Sequence, residues 1–403
     1  MTDRCVRFDH LYTDTVRASL DEPGYGSWRS LTAPDAVSLS FGFPYPDSFP
    51  ETALSESLDT VLQEEGSDAL QYGGGEYVEK LKAGVLDREA THGVDAETEN
   101  LLLTNGATHA LDSIARTVLE PGDEILVEAP TFMGSLSLFE NFGVDVTGVP
   151  LDEDGLQVDA VEEVLETRRE RGEPTPKLLY TIPNFQNPTG TTLSRERRER
   201  LLELAREHEF LVVEDDAYGE LRFDGDDVTP LAAMDDDGWV VRMGTFSKTI
   251  APGVRTGWVL AHEALQDEFS RLAAGGTNTL TQSVLGRYFD AGHYEPVLAE
   301  LTAAYEERRD AMLDSLAAHL PSGADWTEPA GGFFVWVTLP EGVDSEELLP
   351  AAAEEGVTYL PGSHFYPDEG GARSLRISFS HVTPEEMDRG IAALARATEA
   401  ALE

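Results

Sequence analysis

The chain has 403 residues, of which 41% are hydrophobic, and carries a formal net charge of −47 from 29 basic against 76 acidic residues. At about 150 residues per domain this is enough for two or three folding units. The single cysteine, Cys5, excludes an intrachain disulfide, no two of the nine histidines stand three or four apart as local zinc ligands would, and so negative a field repels nucleic acid and anionic membranes.

No apolar run reaches the ~18 residues of a membrane span. The start Met1-Thr2-Asp3-Arg4-Cys5 lacks the apolar stretch of a signal peptide, so a cytoplasmic protein is expected. The acid is spread in pairs and triplets between apolar segments (Asp235-Asp236-Asp237, Glu354-Glu355), unlike a disordered acidic tail. An acidic surface poor in lysine suits a protein kept soluble in concentrated salt, and a halophilic source is expected; a strongly acidic binding surface is the competing account.

Residues up to about 50 carry few helix signals. Val37 to Phe41 alternates as a short strand, after which Gly42 and the prolines 44, 46 and 50 impose an extended loop. That loop is either a plain connector or backbone that Gly42 lets lie close to a ligand. A helix follows at 51–64, then Tyr72 on the turn Gly73-Gly74-Gly75. Those glycines lack a preceding apolar strand and the dinucleotide spacing.

From about 100 the pattern becomes short apolar runs separated by helical stretches. Leu101 to Thr104 reads as a strand, turning at Asn105-Gly106-Ala107-Thr108 into a helix that stops at Pro121-Gly122. Ile125 to Val127, Val144 to Val149, Leu178 to Ile182, Phe210 to Glu214, Val240 to Met243 and Gly257 to Leu260 read as further strands, and Ser194 as the cap of a helix. Strands alternating with helices mean a mostly parallel sheet covered by helices on both faces.

Past about 280 the alternation stops. A long helix through Leu298, Leu301, Tyr305, Met312 and Leu316 leads into Phe333 to Val337, Ser374 to Phe379, and a last helix opened by the capping box Thr383-Pro384-Glu385-Glu386. The expected fold is α/β: a large domain over 51–285 and a smaller α+β domain over 286–403, with 1–50 completing the small domain and the substrate site.

Ligands of open parallel sheets bind beyond the carboxyl ends of the strands. There the chain sets Gly106-Ala107-Thr108, Phe132, Asn187, Asp215 with Tyr218, and Thr245-Phe246-Ser247-Lys248. Each has an ordinary explanation alone: a helix start, core packing, a turn before proline, a cap, a loop lysine. Together they describe a pocket for pyridoxal phosphate. Of the four lysines, Lys80, Lys82, Lys177 and Lys248, only the last sits among small and apolar neighbours, where its amine would close a Schiff base. The helix start at Ala107 and Thr108 would meet the phosphate, with Thr245, Ser247 and Arg255 adding donors. Phe132 would stack on the ring, Asn187 and Tyr218 would bind its hydroxyl oxygen, and Asp215 would keep its nitrogen protonated. Arg376, deep in an apolar strand, would take the substrate carboxylate in two parallel bonds.

The runs Asn187-Pro188-Thr189-Gly190, Asp215 with Tyr218, Ser247-Lys248 with Arg255, and Arg376 resemble the fold-type I, pyridoxal-phosphate-dependent aminotransferases of class I/II. Phe185 to Gly190, Glu214 to Tyr218 and Thr245 to Lys248 are closer to the branch of 2-aminoadipate, kynurenine, aromatic and branched-chain aminotransferases. The resemblance runs from about Ser40 to the end. It implies a homodimer with shared active sites, Tyr72 reaching the neighbour's phosphate, Gly42 near the substrate carboxylate, and ping-pong transfer to a 2-oxo acid such as 2-oxoglutarate. Ala107 and Thr108 replace the Ser and Gln of many relatives, and Phe132 a Tyr. A β-lyase or decarboxylase on the same scaffold is the nearest rival. A transcription regulator with such an effector domain is the distant one, since only about forty residues precede Phe41. The donor stays open, with Phe43, Tyr45, Phe365 and Tyr366 as candidate apolar walls.

Overall fold

The computed structural model describes residues 9–13, 36–273 and 276–403. Cys5 and most of the N-terminal segment lie outside the described residues. Fourteen strands are described: β1 (Val37–Ser38), β2 (Leu101–Thr104), β3 (Glu124–Ala129), β4 (Asp145–Asp152), β5 (Gly155–Leu156), β6 (Leu178–Thr181), β7 (Leu211–Asp215), β8 (Val240–Thr245), β9 (Gly257–Leu260), β10 (Asp325–Trp326), β11 (Phe334–Thr338), β12 (Val357–Thr358), β13 (Leu360–Pro361) and β14 (Ser374–Ser378).

Eight of them form one sheet in the order β2-β9-β8-β7-β6-β3-β4-β5. The strands β8, β7, β6, β3 and β4 run parallel, and β9 runs against both β8 and β2. Hence β2 points the same way as the parallel set, and the carboxyl ends of β2, β3, β6, β7 and β8 open on one edge. Every residue of β6 and β8 is buried, as continuous apolar runs covered on both faces should be.

The helices obey the same patterning. Ala107–Val118 buries Ala110, Leu111, Ile114 and Ala115 along one stripe. Arg195–His208 starts after Ser194, whose side chain makes no capping bond, so the expected cap is positional only. Pro384–Leu402 does open with the reciprocal bonds of a capping box between Thr383 and Glu386.

A second, antiparallel sheet runs β10-β11-β14-β13. The helix Tyr294–His319, about 39 Å long at 1.5 Å per residue, buries Leu298, Leu301, Tyr305, Met312 and Leu316 as the periodicity predicts. β1 pairs in parallel with β12, bringing the stretch just before the extended loop onto the C-terminal part of the chain. That loop is pinned further: Ser378 N–H donates to Leu39 O at 2.8 Å and Ser380 Oγ to Phe43 O at 2.6 Å.

Candidate active site

A cavity of about 290 Å³ lies at the strand ends. It is lined by Gly42, Ala107, Thr108, Phe132, Asn187, Asp215, Tyr218, Thr245, Ser247, Lys248, Arg255 and Arg376, by the expected wall Phe43, and by nine residues that the sequence did not single out.

One end is built for an anion. The helix Ala107–Val118 begins there, and the first amides of a helix have no partner inside it. Gly106 precedes it at φ +85°, and a Cβ at that position would stand 2.5 Å from a guanidinium nitrogen of Arg255. Gly106 itself does not line the cavity; its missing side chain lets the arginine close in beside the helix start. Arg255 is steadied by Asn105 O at 3.0 Å. Thr245 Oγ1 donates to Ser247 Oγ at 2.9 Å, which sets two hydroxyls side by side on the same wall.

The other end carries a buried carboxylate. Asp215 closes β7, and its Oδ2 accepts a 2.6 Å hydrogen bond from the Tyr180 hydroxyl, while Oδ1 has no partner among the described residues. Burial pushes its pKa up to about 6; the Tyr180 hydrogen bond opposes that, neighbouring Asp216 adds to it, and the Lys248 charge opposes it. Lys248 is brought down to about 8 by burial first and the Arg376 charge second, with Asp215 pulling the other way. Its Nζ donates to Gly42 O at 2.9 Å. A Cβ on Gly42 would lie 2.5 Å from the Phe334 ring, so only glycine brings that carbonyl so close.

Arg376 is buried in β14. Its guanidinium donates to Asn187 Oδ1 at 2.8 Å and Ser40 O at 2.7 Å and lies over the Phe334 ring, 4.1 Å from the centroid. These fixed acceptors and the ring below set the plane in which the fork can meet a carboxylate. Tyr218 stands edge-on to Phe333 and Phe334.

These features fit pyridoxal phosphate. A buried carboxylate oxygen without a partner calls for a donor such as a protonated ring nitrogen, and an amine held near pKa 8 stands within its electrostatic reach. The anion end supplies amides, hydroxyls and Arg255. Among the described residues no group of three or more His, Cys, Asp or Glu could hold a metal ion.

Tyr72 lies apart, 97% exposed, beside a separate surface cavity. Of the expected apolar walls, Phe43 lines the site, whereas Tyr45, Phe365 and Tyr366 do not; Phe41, Met133, Phe334 and Leu360 take that place. Met133 directly follows Phe132 and Phe334 begins β11, so adjacency could have suggested both. Leu360 sits in a two-residue strand that leaves no periodic signal.

Residues 34–394 match the family model of aminotransferases of class I and II. The chain belongs to that family. It is similar to aromatic-amino-acid aminotransferase 1 of Thermococcus litoralis, 38% identical over 365 residues that cover 90% of this chain and 87% of that one. Among solved structures it is similar to kynurenine aminotransferase of Pyrococcus horikoshii in complex with PMP, with 35% identity, TM-score 0.93 and 99% of both chains covered. It is also similar to α-aminoadipate aminotransferase of Thermus thermophilus complexed with N-(5'-phosphopyridoxyl)-L-leucine, with 32% identity, TM-score 0.88, and 98% and 99% covered. The protein is thus a pyridoxal-phosphate-dependent aminotransferase close to the aromatic, 2-aminoadipate and kynurenine branch. No helix among the described residues is long and apolar enough to cross a membrane.

Proposed function

We propose that this aminotransferase moves the amino group of an aromatic, branched-chain or 2-aminoadipate-like amino acid to a 2-oxo acid such as 2-oxoglutarate, by a ping-pong route in one cavity. The observation that carries this is Lys248, an amine brought down to about 8, lining the same 290 Å³ cavity as Asp215, whose Oδ1 has no partner among the described residues. When bound, pyridoxal phosphate supplies a carbonyl for amines and a protonated ring that accepts the electron pair left at the substrate Cα.

The chain's own residues do the rest. The amides of Gly106, Ala107 and Thr108, the hydroxyls of Thr245 and Ser247, and Arg255 would hold the phosphate. Phe132 would stack on the ring, Asn187 and Tyr218 would hold its hydroxyl oxygen, and Asp215 would accept from its nitrogen. Arg376 binds the substrate α-carboxylate beside Gly42 and Asn187. Lys248 would hold the cofactor through its amine, and its Nζ would take the proton from the substrate Cα and give it back. A base near pKa 8 is partly neutral at working pH, as that step needs.

Phe41, Phe43, Met133 and Leu360 favour an apolar or aromatic donor side chain. The exposure of Tyr72, with Leu70 at 65% and Leu62 at 40%, supports a homodimer in which Tyr72 reaches the neighbour's phosphate. The pairing of β1 with β12 supports a division into 51–285 and a smaller 286–403 unit joined by the N-terminal segment. The charge of −47 supports a high-salt source.

The test is Lys248→Ala. Loss of the cofactor's near-visible absorbance band and of transamination is expected, and full activity in the variant would overturn the mechanism. Pyruvate with ammonia, or carbon dioxide, released without a 2-oxo acid acceptor would replace it with a lyase or decarboxylase. A panel of amino donors assayed against 2-oxoglutarate in high salt fixes the substrate.

A further inference from the structure

Asp215 has a partner to which none of the roles above assigns a function. Tyr180 lies on β6, fully buried, and its hydroxyl donates to Asp215 Oδ2 at 2.6 Å. The ring is gripped from the side: Phe139 stands edge-on at 5.8 Å, and one turn earlier Ser135, whose hydroxyl donates to Phe132 O at 2.6 Å, is buried and bears on the phenol electrostatically. Both come from the helix Met133–Phe142, which starts directly after Phe132. The phenol is therefore fixed by the same helix that carries the ring-stacking residue.

A carboxylate with one oxygen engaged and the other bare has a direction. The C–C bond of the aspartate side chain would otherwise let the two oxygens exchange places or rotate out of plane. Holding Oδ2 leaves Oδ1 as the oxygen that faces the cavity. The charges around Asp215 are Asp216 beside it, Glu128 from β3 and Lys248 across the cavity. Burial and Asp216 both favour a protonated Asp215, and the Tyr180 bond is the larger of the two interactions that oppose them. Burial and Asp215 itself hold the phenol far above its usual titration, so it stays a donor throughout the working range.

We propose that Tyr180 is a positioning residue for the cofactor: its hydroxyl orients Asp215 so that Oδ1 is the oxygen offered to the pyridine nitrogen. This rests on the reading of Asp215 as the partner of the ring nitrogen. It acts through Asp215 and touches no reacting atom.

The experiment measures the affinity of apoenzyme for pyridoxal phosphate and for its 1-deaza analogue, in which carbon replaces the ring nitrogen. Four proteins are compared: wild type, Tyr180→Phe, the chain with 4-aminophenylalanine at 180, and Asp215→Asn. A hydrogen bond to a charged group lost in a dry site predicts that Tyr180→Phe weakens pyridoxal phosphate about tenfold or more, and the analogue by no more than about twofold. The aniline is a weaker donor than the phenol, so its protein should fall between the two. The comparison of phenol with aniline stands even where the Phe protein fails to fold. An equal loss for both ligands, or no loss for either across phenol, aniline and Phe, overturns the proposal. Asp215→Asn separates the two layers: if it discriminates between the ligands and the Tyr180 series does not, only Tyr180 is wrong. If Asp215→Asn does not discriminate either, the reading of Asp215 falls with it.

Discussion

Asp215 should make the cofactor-free protein less stable than it need be. Its carboxyl moves from 3.8 to about 6 on folding, chiefly through burial, which corresponds to about 3 kcal/mol at neutral pH. The sign follows from proton linkage: a raised carboxyl pKa penalises the fold once the group must ionise. The penalty is absent below about pH 4, roughly half grown at pH 5 and complete above about pH 7. Asp215→Asn imitates the protonated acid and keeps an acceptor for Tyr180. The apo variant should therefore resist urea better than apo wild type by up to about 3 kcal/mol at pH 7.5, with the advantage shrinking to about half at pH 5. Adding pyridoxal phosphate should reverse the order, because wild type alone offers an ionised oxygen to the ring nitrogen. A variant less stable than wild type in the apo form at pH 7.5, or an advantage that does not shrink with acidification, would refute the reasoning.

Gly106→Ala should weaken pyridoxal phosphate about tenfold, by displacing one charge-assisted contact of Arg255. Gly122→Ala, at nearly the same φ of +86° but with open space around it, should cost stability and leave that affinity unchanged. Arg242 lies buried against Glu89 at 2.7 Å, Asp216 at 2.6 Å and Glu214 at 3.4 Å. Arg242→Met should thus lose about 3–5 kcal/mol in urea unfolding by stranding buried carboxylates. Arg396→Met, which breaks only an exposed pair with Glu355, should lose at most about 1 kcal/mol. The rate at which apoenzyme captures pyridoxal phosphate through Lys248 should rise with pH about a midpoint near 8 and then level. An ordinary lysine would keep climbing past 10, and a stopped-flow pH profile decides between them.

What could be read from the sequence was set by how each residue announces itself. Lys248, Asp215 and Asn187 follow short apolar runs and break them with a polar group, so the strand ends and these cavity-lining residues can be read together. The main strands lie within a few residues of where the apolar runs put them. β5, β10, β12 and β13 are two residues long, too short to carry a period, and their existence depends on partners distant in the chain. Tyr180 reads as one more apolar residue of a central strand, and only the register of β6 beside β7 brings its hydroxyl to Asp215. Glu128 was hidden in the same way. At the end of β3 it accepts from Thr181 Oγ1 at 2.5 Å, Ile182 N–H at 3.1 Å and Gln186 Nε2 at 3.0 Å, and burial pushes it up to about 7. It ties the loop that carries Phe132 to the loop that carries Asn187, a link no local pattern reveals.

The choice of cations sharpens the role given to Lys248. The chain has 29 basic residues, four of them lysines, so arginine does most of the work. Inside the protein, arginine serves as a fixed strut. Arg198 donates to Leu193 O, Pro183 O and Asn184 Oδ1, and Arg309 to Pro329 O, which pins the loops on which the strand ends rest. A guanidinium suits this because its planar fork satisfies several carbonyls at once and does not give up its proton. Lys80 and Lys82 are spent in ion pairs with Asp290 and Glu79, and Lys177 is exposed. Lys248 is thus the one lysine that lines the cavity. The same burial that would be a liability for a structural cation brings its amine to about 8, where it can both lose and regain a proton. Arginine at that position would preserve the charge and remove the only property the chemistry uses.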